Sequence, residues 1–489
     1  MIFCSACLHI HKEKRHINTD YNTRRDFLKA MGLGAVSLTI PQRLSAVEGA
    51  RLGLAEPRRP SQPWLVGYAD AEITPKRGQC MMSGFGRERY ASGSLSPLLT
   101  QVLALRDRDG NTGVLITADI LGFDRGMVEA IHHAIAQKHG IAAKGIMLVA
   151  SHTHWGPAVN LHVSFAVGAP NVWYMGHLEK TILTKVDEAL QNLSPATIEH
   201  GSIDFRGIGC NRRLPRNGKI TWGPYPQGSF DGHTPIFRIK RQKSPKQLIV
   251  VGHGCHPTSS GLIEKWSPDY PGAMRETLSE QLPDTKGIFI QGCGGDAKVV
   301  HKDPQTGKVV FSADPQRSKQ AGRKLAKAVL ANLEKGQMTS LSGPLVCSLA
   351  TGQLSFGERW PLEEIKQAAF NGPKKSYLTW TARQFLALSN CSQSFRYDAQ
   401  VWKFGYQLTI FGMEGEVCSP WGPMLRAMAR TEKAMVVGYA NNTNVYIPDK
   451  RIVREGGYEG LTSHRVYFQP GPFTENIDRE IKDIVARSL

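Results

Sequence analysis

The chain has 489 residues, 41% hydrophobic and 21% charged, with a formal net charge of +18. This is the composition of a packed globular protein with room for a large core, and the absence of any run of 18 apolar residues excludes an ordinary membrane span. The basic surplus favours anionic surroundings such as a membrane surface, whereas the lack of a Lys/Arg tract interleaved with aromatics, or of zinc-finger spacing, argues against nucleic acid as a partner.

The first readable element is Thr23-Arg24-Arg25-Asp26-Phe27-Leu28-Lys29, followed by a short apolar stretch from Ala30 to Ile40. This is the pattern of a twin-arginine-type signal peptide spanning residues 1 to 46, with Leu44-Ser45-Ala46 as the cleavage site. It predicts export through the twin-arginine machinery and a periplasmic or secreted location. Residues 1 to 46 hold seven Lys/Arg against three Asp/Glu, which leaves +14 on the rest. Residues 47 to 63, with Pro57, Pro60 and Pro63, read as a linker, and the folded domain is expected over 64 to 489. The nine cysteines are scattered, and apart from Cys4 and Cys7 in the leader none forms a metal-ribbon pair. They read as small buried residues rather than a disulfide scaffold.

Within the domain, two strands at Gln101 to Arg106 and Gly113 to Ala118 flank a turn containing Asp109-Gly110-Asn111. A helix is predicted from Arg125 to Lys138, a buried strand from Ile146 to Ala150, and an amphipathic helix from Met175 to Leu193. Further strands are expected at Pro235 to Ile239, Gln247 to His253 and Gly287 to Ile290, with helices at Gly272 to Gln281 and Arg317 to Leu333. Strands at Lys403 to Phe411 and Ala434 to Gly438, and a helix near Pro423 to Arg430, complete the reading. The alternation predicts an α/β fold: a mixed β-sheet flanked by helices in a single large catalytic domain.

Several strand ends carry polar residues beside Gly or Pro, where an α/β sheet places its site. Ile146-Met147-Leu148-Val149-Ala150 runs into Ser151-His152-Thr153-His154-Trp155-Gly156-Pro157. On a strand, residues i and i+2 share a face, so His152 and His154 are expected to point into one cavity as metal ligands. The run Ile249-Val250-Val251-Gly252-His253-Gly254-Cys255-His256-Pro257 repeats the pattern of apolar strand, histidine and proline. In it, His253 reads as a core histidine. Glu414 and Glu416 share strand parity at the end of another strand, and Asn444-Val445-Tyr446-Ile447-Pro448 offers a phenol. The turn Gly292-Cys293-Gly294-Gly295-Asp296 lacks the Gly-Lys-Ser/Thr ending of a nucleotide site.

These segments, taken in order, resemble the catalytic domain of the neutral/alkaline non-lysosomal ceramidases. The likeness rests on Met81-Met82-Ser83-Gly84-Phe85-Gly86, Thr117-Ala118-Asp119-Ile120, residues 151 to 157, Asn211-Arg212, His256-Pro257, Gly295-Asp296, Gly415-Glu416, Tyr446 and Gly457-Tyr458-Glu459. The resemblance implies one zinc ion per chain held by His152, His256, Glu416 and Tyr446, and a metal-activated water attacking the amide of a ceramide-like N-acyl lipid. It also implies oxyanion donors at His154 and Tyr458, and a substrate-binding guanidinium at Arg212. Asp119 and Asp296 are expected to orient metal-bound imidazoles.

The chain departs from that pattern at Lys298, where the family carries a serine, and only about thirty residues follow Tyr458, too few for the family's carboxyl-terminal β-sandwich. Two other readings are therefore kept: a related metallohydrolase of another amide or ester, and a metal-containing lipid-binding protein without turnover.

Overall fold

The apolar runs pair into one large mixed sheet whose path runs Thr285–Gln291, Gln247–His253, His233–Arg241, Ser194–Asp204, Trp64–Glu72, Leu99–Arg106, Thr112–Ala118 and Ile146–Ala150. The structure is a computed structural model that describes residues 64 to 489 apart from 87, 375 and 389 to 391. The expected signal peptide and linker, with Cys4, Cys7 and Cys391, lie outside the described residues.

Pairing in this sheet is antiparallel through the middle and parallel at both ends. Each parallel pair is closed by a crossover helix, Arg125–His139 before Ile146–Ala150 and Tyr270–Gln281 before Thr285–Gln291, as parallel strands require. Strand Ile146–Ala150 is buried at every position because both of its faces are covered. Ile146, Leu148 and Ala150 pack with Ile131 and Ile135 of the first crossover helix and with Leu178 and Ile182 of helix Val172–Gln191. Met147 and Val149 face Trp402, Phe404 and Ile410 of a second sheet.

That second sheet has four strands in the order Leu345–Ser355, Ser394–Phe404, Leu408–Met413 and Lys433–Val437. Helix Ile477–Ala486 covers its outer face with Ile477, Ile481 and Ile484. The molecule is thus layered helices, large sheet, small sheet, helix. A separate four-stranded sheet, Val309–Phe311, Ala297–Lys302, Gly209–Arg216 and Lys219–Tyr225, stands beside the large one.

The expected mixed sheet with flanking helices is the architecture observed. One strand differs: Lys403 to Phe411 is a hairpin, because Gly405 at φ +53 turns the chain between Ser394–Phe404 and Leu408–Met413. A left-handed glycine there reverses direction without the steric cost a side chain would carry.

Candidate metal centre

Two of the four segments expected to supply ligands lie just past the carboxyl ends of parallel-paired strands, where open loops leave room for a ligand. His152 follows Ile146–Ala150 and His256 follows Gln247–His253. Glu416 and Tyr446 face each other in a two-stranded parallel pair, Glu416–Val417 with Tyr446–Ile447.

Strand alternation does not place the two histidines of the first segment, because the strand ends at Ala150. His152 is instead in the left-handed region at φ +66, with its N–H on the Ile120 carbonyl at 3.0 Å. A non-glycine residue held there costs of order 1–3 kcal/mol, and such strain collects at functional sites. His154 is set from the other side: a Cβ on Gly84 would come within 2.5 Å of its ring, and Phe85 packs edge-on at 5.1 Å between centroids.

The side chains converge on one buried point. Nε2 of His152 and Nε2 of His256 lie 3.2 and 3.0 Å from Glu416 Oε2. Nε2 of His154 lies 3.4 Å from that of His152, and the Tyr446 hydroxyl lies 3.4 Å from that of His256. One ligand atom from each of His152, His154 and His256 lies within 4.8 Å of the other two. Donors placed tetrahedrally at zinc–nitrogen distance are separated by about 3.3 Å, the spacing seen here.

Tautomers decide what those contacts mean. His152 Nδ1 is 2.6 Å from the Leu121 carbonyl and His256 Nδ1 is 2.7 Å from the Gly294 carbonyl. A carbonyl only accepts, so each ring carries its proton on Nδ1 and aims a lone pair from Nε2. Two lone pairs thus face a carboxylate oxygen that has no hydrogen-bond donor of its own. Burial, reinforced by Arg212, pushes His256 down to about 3. Burial works the other way on Glu416, but its close contacts with the rings of His152 and His256 outweigh it and hold that carboxyl well below the usual carboxylate range. The carboxylate needs a cation between the rings, while the buried ring at His256 resists a proton. A metal ion satisfies both demands, and the donor set of imidazole, carboxylate and phenol suits a borderline divalent metal.

His154 differs from its two neighbours. Its Nδ1 is buried without a partner, so no carbonyl locks its tautomer as second-shell partners lock metal-bound imidazoles. Burial, then the neighbouring imidazoles, keeps it well below its ordinary value and therefore neutral.

Gly415 separates the two carboxylates that strand parity left equivalent. Its φ of +81, in a place where a Cβ would meet the Val445 carbonyl at 2.8 Å, turns the chain between them. Glu416 goes to the imidazoles, with the Tyr467 hydroxyl donating to its Oε1. Glu414 goes instead to Arg125 at 2.9 Å and to the backbone N–H of Asp398.

The remaining expected residues fall into two groups. Tyr458 lies beside the centre, its ring 5.3 Å from that of Tyr446, and burial raises its pKa so that it stays a hydroxyl donor. Arg212 does not present a free fork to a substrate. Its Nε is held by Glu459 at 2.8 Å and one terminal nitrogen donates to the Tyr446 oxygen at 3.0 Å, so it positions the phenol. Asp119 and Asp296 touch no imidazole, because backbone carbonyls have taken that task. Asp119 forms a two-point ion pair with Arg275 at 3.1 and 2.6 Å. Asp296 accepts from the N–H and hydroxyl of Ser419 and from Asn211, tying the Glu416 segment to the Arg212 strand.

His253 is the core residue expected, hydrogen-bonded to Thr234 at 2.9 Å among Phe205, Phe230 and Tyr270. The described cysteines are free and all buried except the half-buried Cys347. Sequence reading gave no role to Tyr467, which sits in no motif, or to Glu459, which it met only as the last residue of Gly457-Tyr458-Glu459. Tyr439, 4.5 Å from the His152 ring, was also missed.

No protein-family model and no curated protein matches the chain. The fold is nevertheless similar to that of the neutral ceramidases, in a divergent form. The neutral ceramidase from Pseudomonas aeruginosa superimposes with a TM-score of 0.68 at 16% identity, over 87% of this chain and 74% of that one. A ceramidase complexed with C2 gives a TM-score of 0.68 at 15% identity, over 87% and 75%. Among the described residues no helix is long and apolar enough to cross a membrane.

Proposed function

We propose that the protein is a zinc-dependent amidohydrolase that cleaves N-acyl lipids, ceramide-like in form, to a fatty acid and an amine. The observation that carries this reading is the meeting of two imidazole lone pairs on the buried, donorless Oε2 of Glu416. His152, His256, Glu416 and Tyr446 would hold one zinc ion. Bound there, zinc supplies a Lewis acid and brings the pKa of a water ligand to about 7.

The protein's own groups do the rest. His154, neutral and not locked by a carbonyl, and Tyr458, held as a hydroxyl, are the donors placed to meet charge developing on an amide oxygen. Such a donor is worth a few kcal/mol, about 3, in a dry site. Arg212 holds the Tyr446 oxygen at 3.0 Å and, through Glu459, fixes the wall behind it. The twin-arginine signature supports export, and the net charge supports peripheral contact with anionic membranes.

The test is elemental analysis of the purified chain together with chromatographic detection of fatty acid released from an N-acyl sphingoid. One zinc per chain, and release abolished in His152→Ala, are the expected results. A fully zinc-loaded protein that binds acyl lipid without turnover would instead be a binding protein. A second reading, a related metallohydrolase of other amides or esters, is favoured by Lys298, a cation beside the centre. Shortening the acyl chain separates the two, since only a long-chain specialist loses rate steeply.

A further inference from the structure

Resting on the hydrolase reading, we infer that Lys298 forms an anion-binding subsite beside the metal centre and that the substrate is an N-acyl amine whose head group carries a carboxylate, sulfonate or phosphate. Lys298 stands on strand Ala297–Lys302, opposite Cys210. Its backbone also bridges His256, whose N–H donates to the Ala297 carbonyl at 3.2 Å. The ammonium therefore springs from chain that touches a proposed ligand.

Ring contacts place it on the same wall as Arg212. Lys298 Nζ lies 5.3 Å from the Phe311 ring centre, Phe311 is 6.5 Å from Trp222, and the Arg212 guanidinium stacks on Trp222 at 4.3 Å. Two cations thus share one aromatic wall, and Trp222 is 53% exposed.

Charge accounting separates them. Arg212 is neutralised by Glu459 at 2.8 Å. Lys298 has no carboxylate within ion-pair distance among the described residues. A half-buried ammonium left unpaired is costly, and a wall that keeps one is arranged for a charge that arrives with a ligand. Such a charge gives orientation and selectivity: a neutral analogue leaves the ammonium desolvated without a partner, which is how polar pockets reject ligands lacking the matching group.

The experiment uses the full zinc-loaded chain and two substrates with the same tail, N-lauroylglycine and N-lauroylethanolamine, in wild type, Lys298→Met and Lys298→Arg. The anionic compound is expected to have the lower KM by about tenfold or more. In Lys298→Met that advantage disappears through a rise in KM for the anion alone, and Lys298→Arg retains most of it. Equal use of both compounds by wild type, or an equal effect of Lys298→Met on both, overturns the subsite. So does a Lys298→Met effect confined to inhibition by the fatty-acid product. Binding of the two compounds, followed by quenching of tryptophan fluorescence, gives a second readout. Anion-selective binding lost in Lys298→Met without any hydrolysis keeps the subsite and rejects the hydrolase reading instead.

Discussion

Replacing Glu416 by Gln should move the metal-free and metal-bound proteins in opposite directions. In the metal-free protein Oε2 faces two lone pairs at 3.2 and 3.0 Å with no donor. An amide at that position turns its N–H groups toward the rings while its oxygen still accepts from Tyr467. One or two new neutral hydrogen bonds contribute about 0.5–1.5 kcal/mol each, and an unpaired buried acceptor is removed. The metal-free variant should therefore unfold at higher urea, more stable by about 1–3 kcal/mol. With zinc the order reverses wherever the metal-free gain is below about 2.7 kcal/mol. At a thousandfold excess over Kd, zinc adds about 4.1 kcal/mol to the wild type, and a hundredfold loss of affinity cuts that to about 1.4 kcal/mol. Urea titrations at pH 7.5, with a chelator and then with zinc, measure both halves. A variant less stable than wild type in the chelator would refute the argument that Glu416 is held against unprotonated imidazole nitrogens.

Three further outcomes follow from the same geometry. Glu459→Gln removes the charge that neutralises buried Arg212 and turns one of the two oxygens that accept from Arg212 and Arg213 into a donor facing a guanidinium, while Arg213 keeps Glu455 and the Gly456 carbonyl; it should cost about 3–5 kcal/mol in urea unfolding, much of it recovered by adding Arg212→Met. Gly84→Ala, at φ +101 and facing the His154 ring, should lower kcat about a hundredfold with zinc content unchanged, as a displacement near 1 Å can; undiminished turnover would show that the close approach is not needed. The third outcome concerns acid. His200, His253 and His464 are each pushed by burial from 6.5 to about 4, so between those limits the unfolded chain binds more protons than the native one. Stability is then complete above 6.5 and falls as the pH drops toward 4, with a slope that His253→Gln should reduce by about one proton. A flat urea midpoint between pH 7 and 4.5 contradicts this.

The sequence alone determined what depends on a few neighbouring residues. An unbroken apolar run such as Ile146–Ala150 forms a strand covered on both faces, the spacing in Arg125–His139 and Pro315–Glu334 forms helices, and histidine or glutamate beside Gly and Pro marks where strands stop. Only the tertiary structure decided which carboxylate meets the imidazoles, since Gly415 reverses a parity that made Glu414 and Glu416 equal. It also decided that the carbonyls of Leu121 and Gly294, rather than Asp119 and Asp296, orient the rings. It brought Tyr467 to Glu416, 51 positions away, and Glu459 to Arg212, 247 positions away. Periodicity and turn chemistry act over a turn or a strand length, whereas these partners meet because sheet register and crossover connections carry distant strand ends to one place.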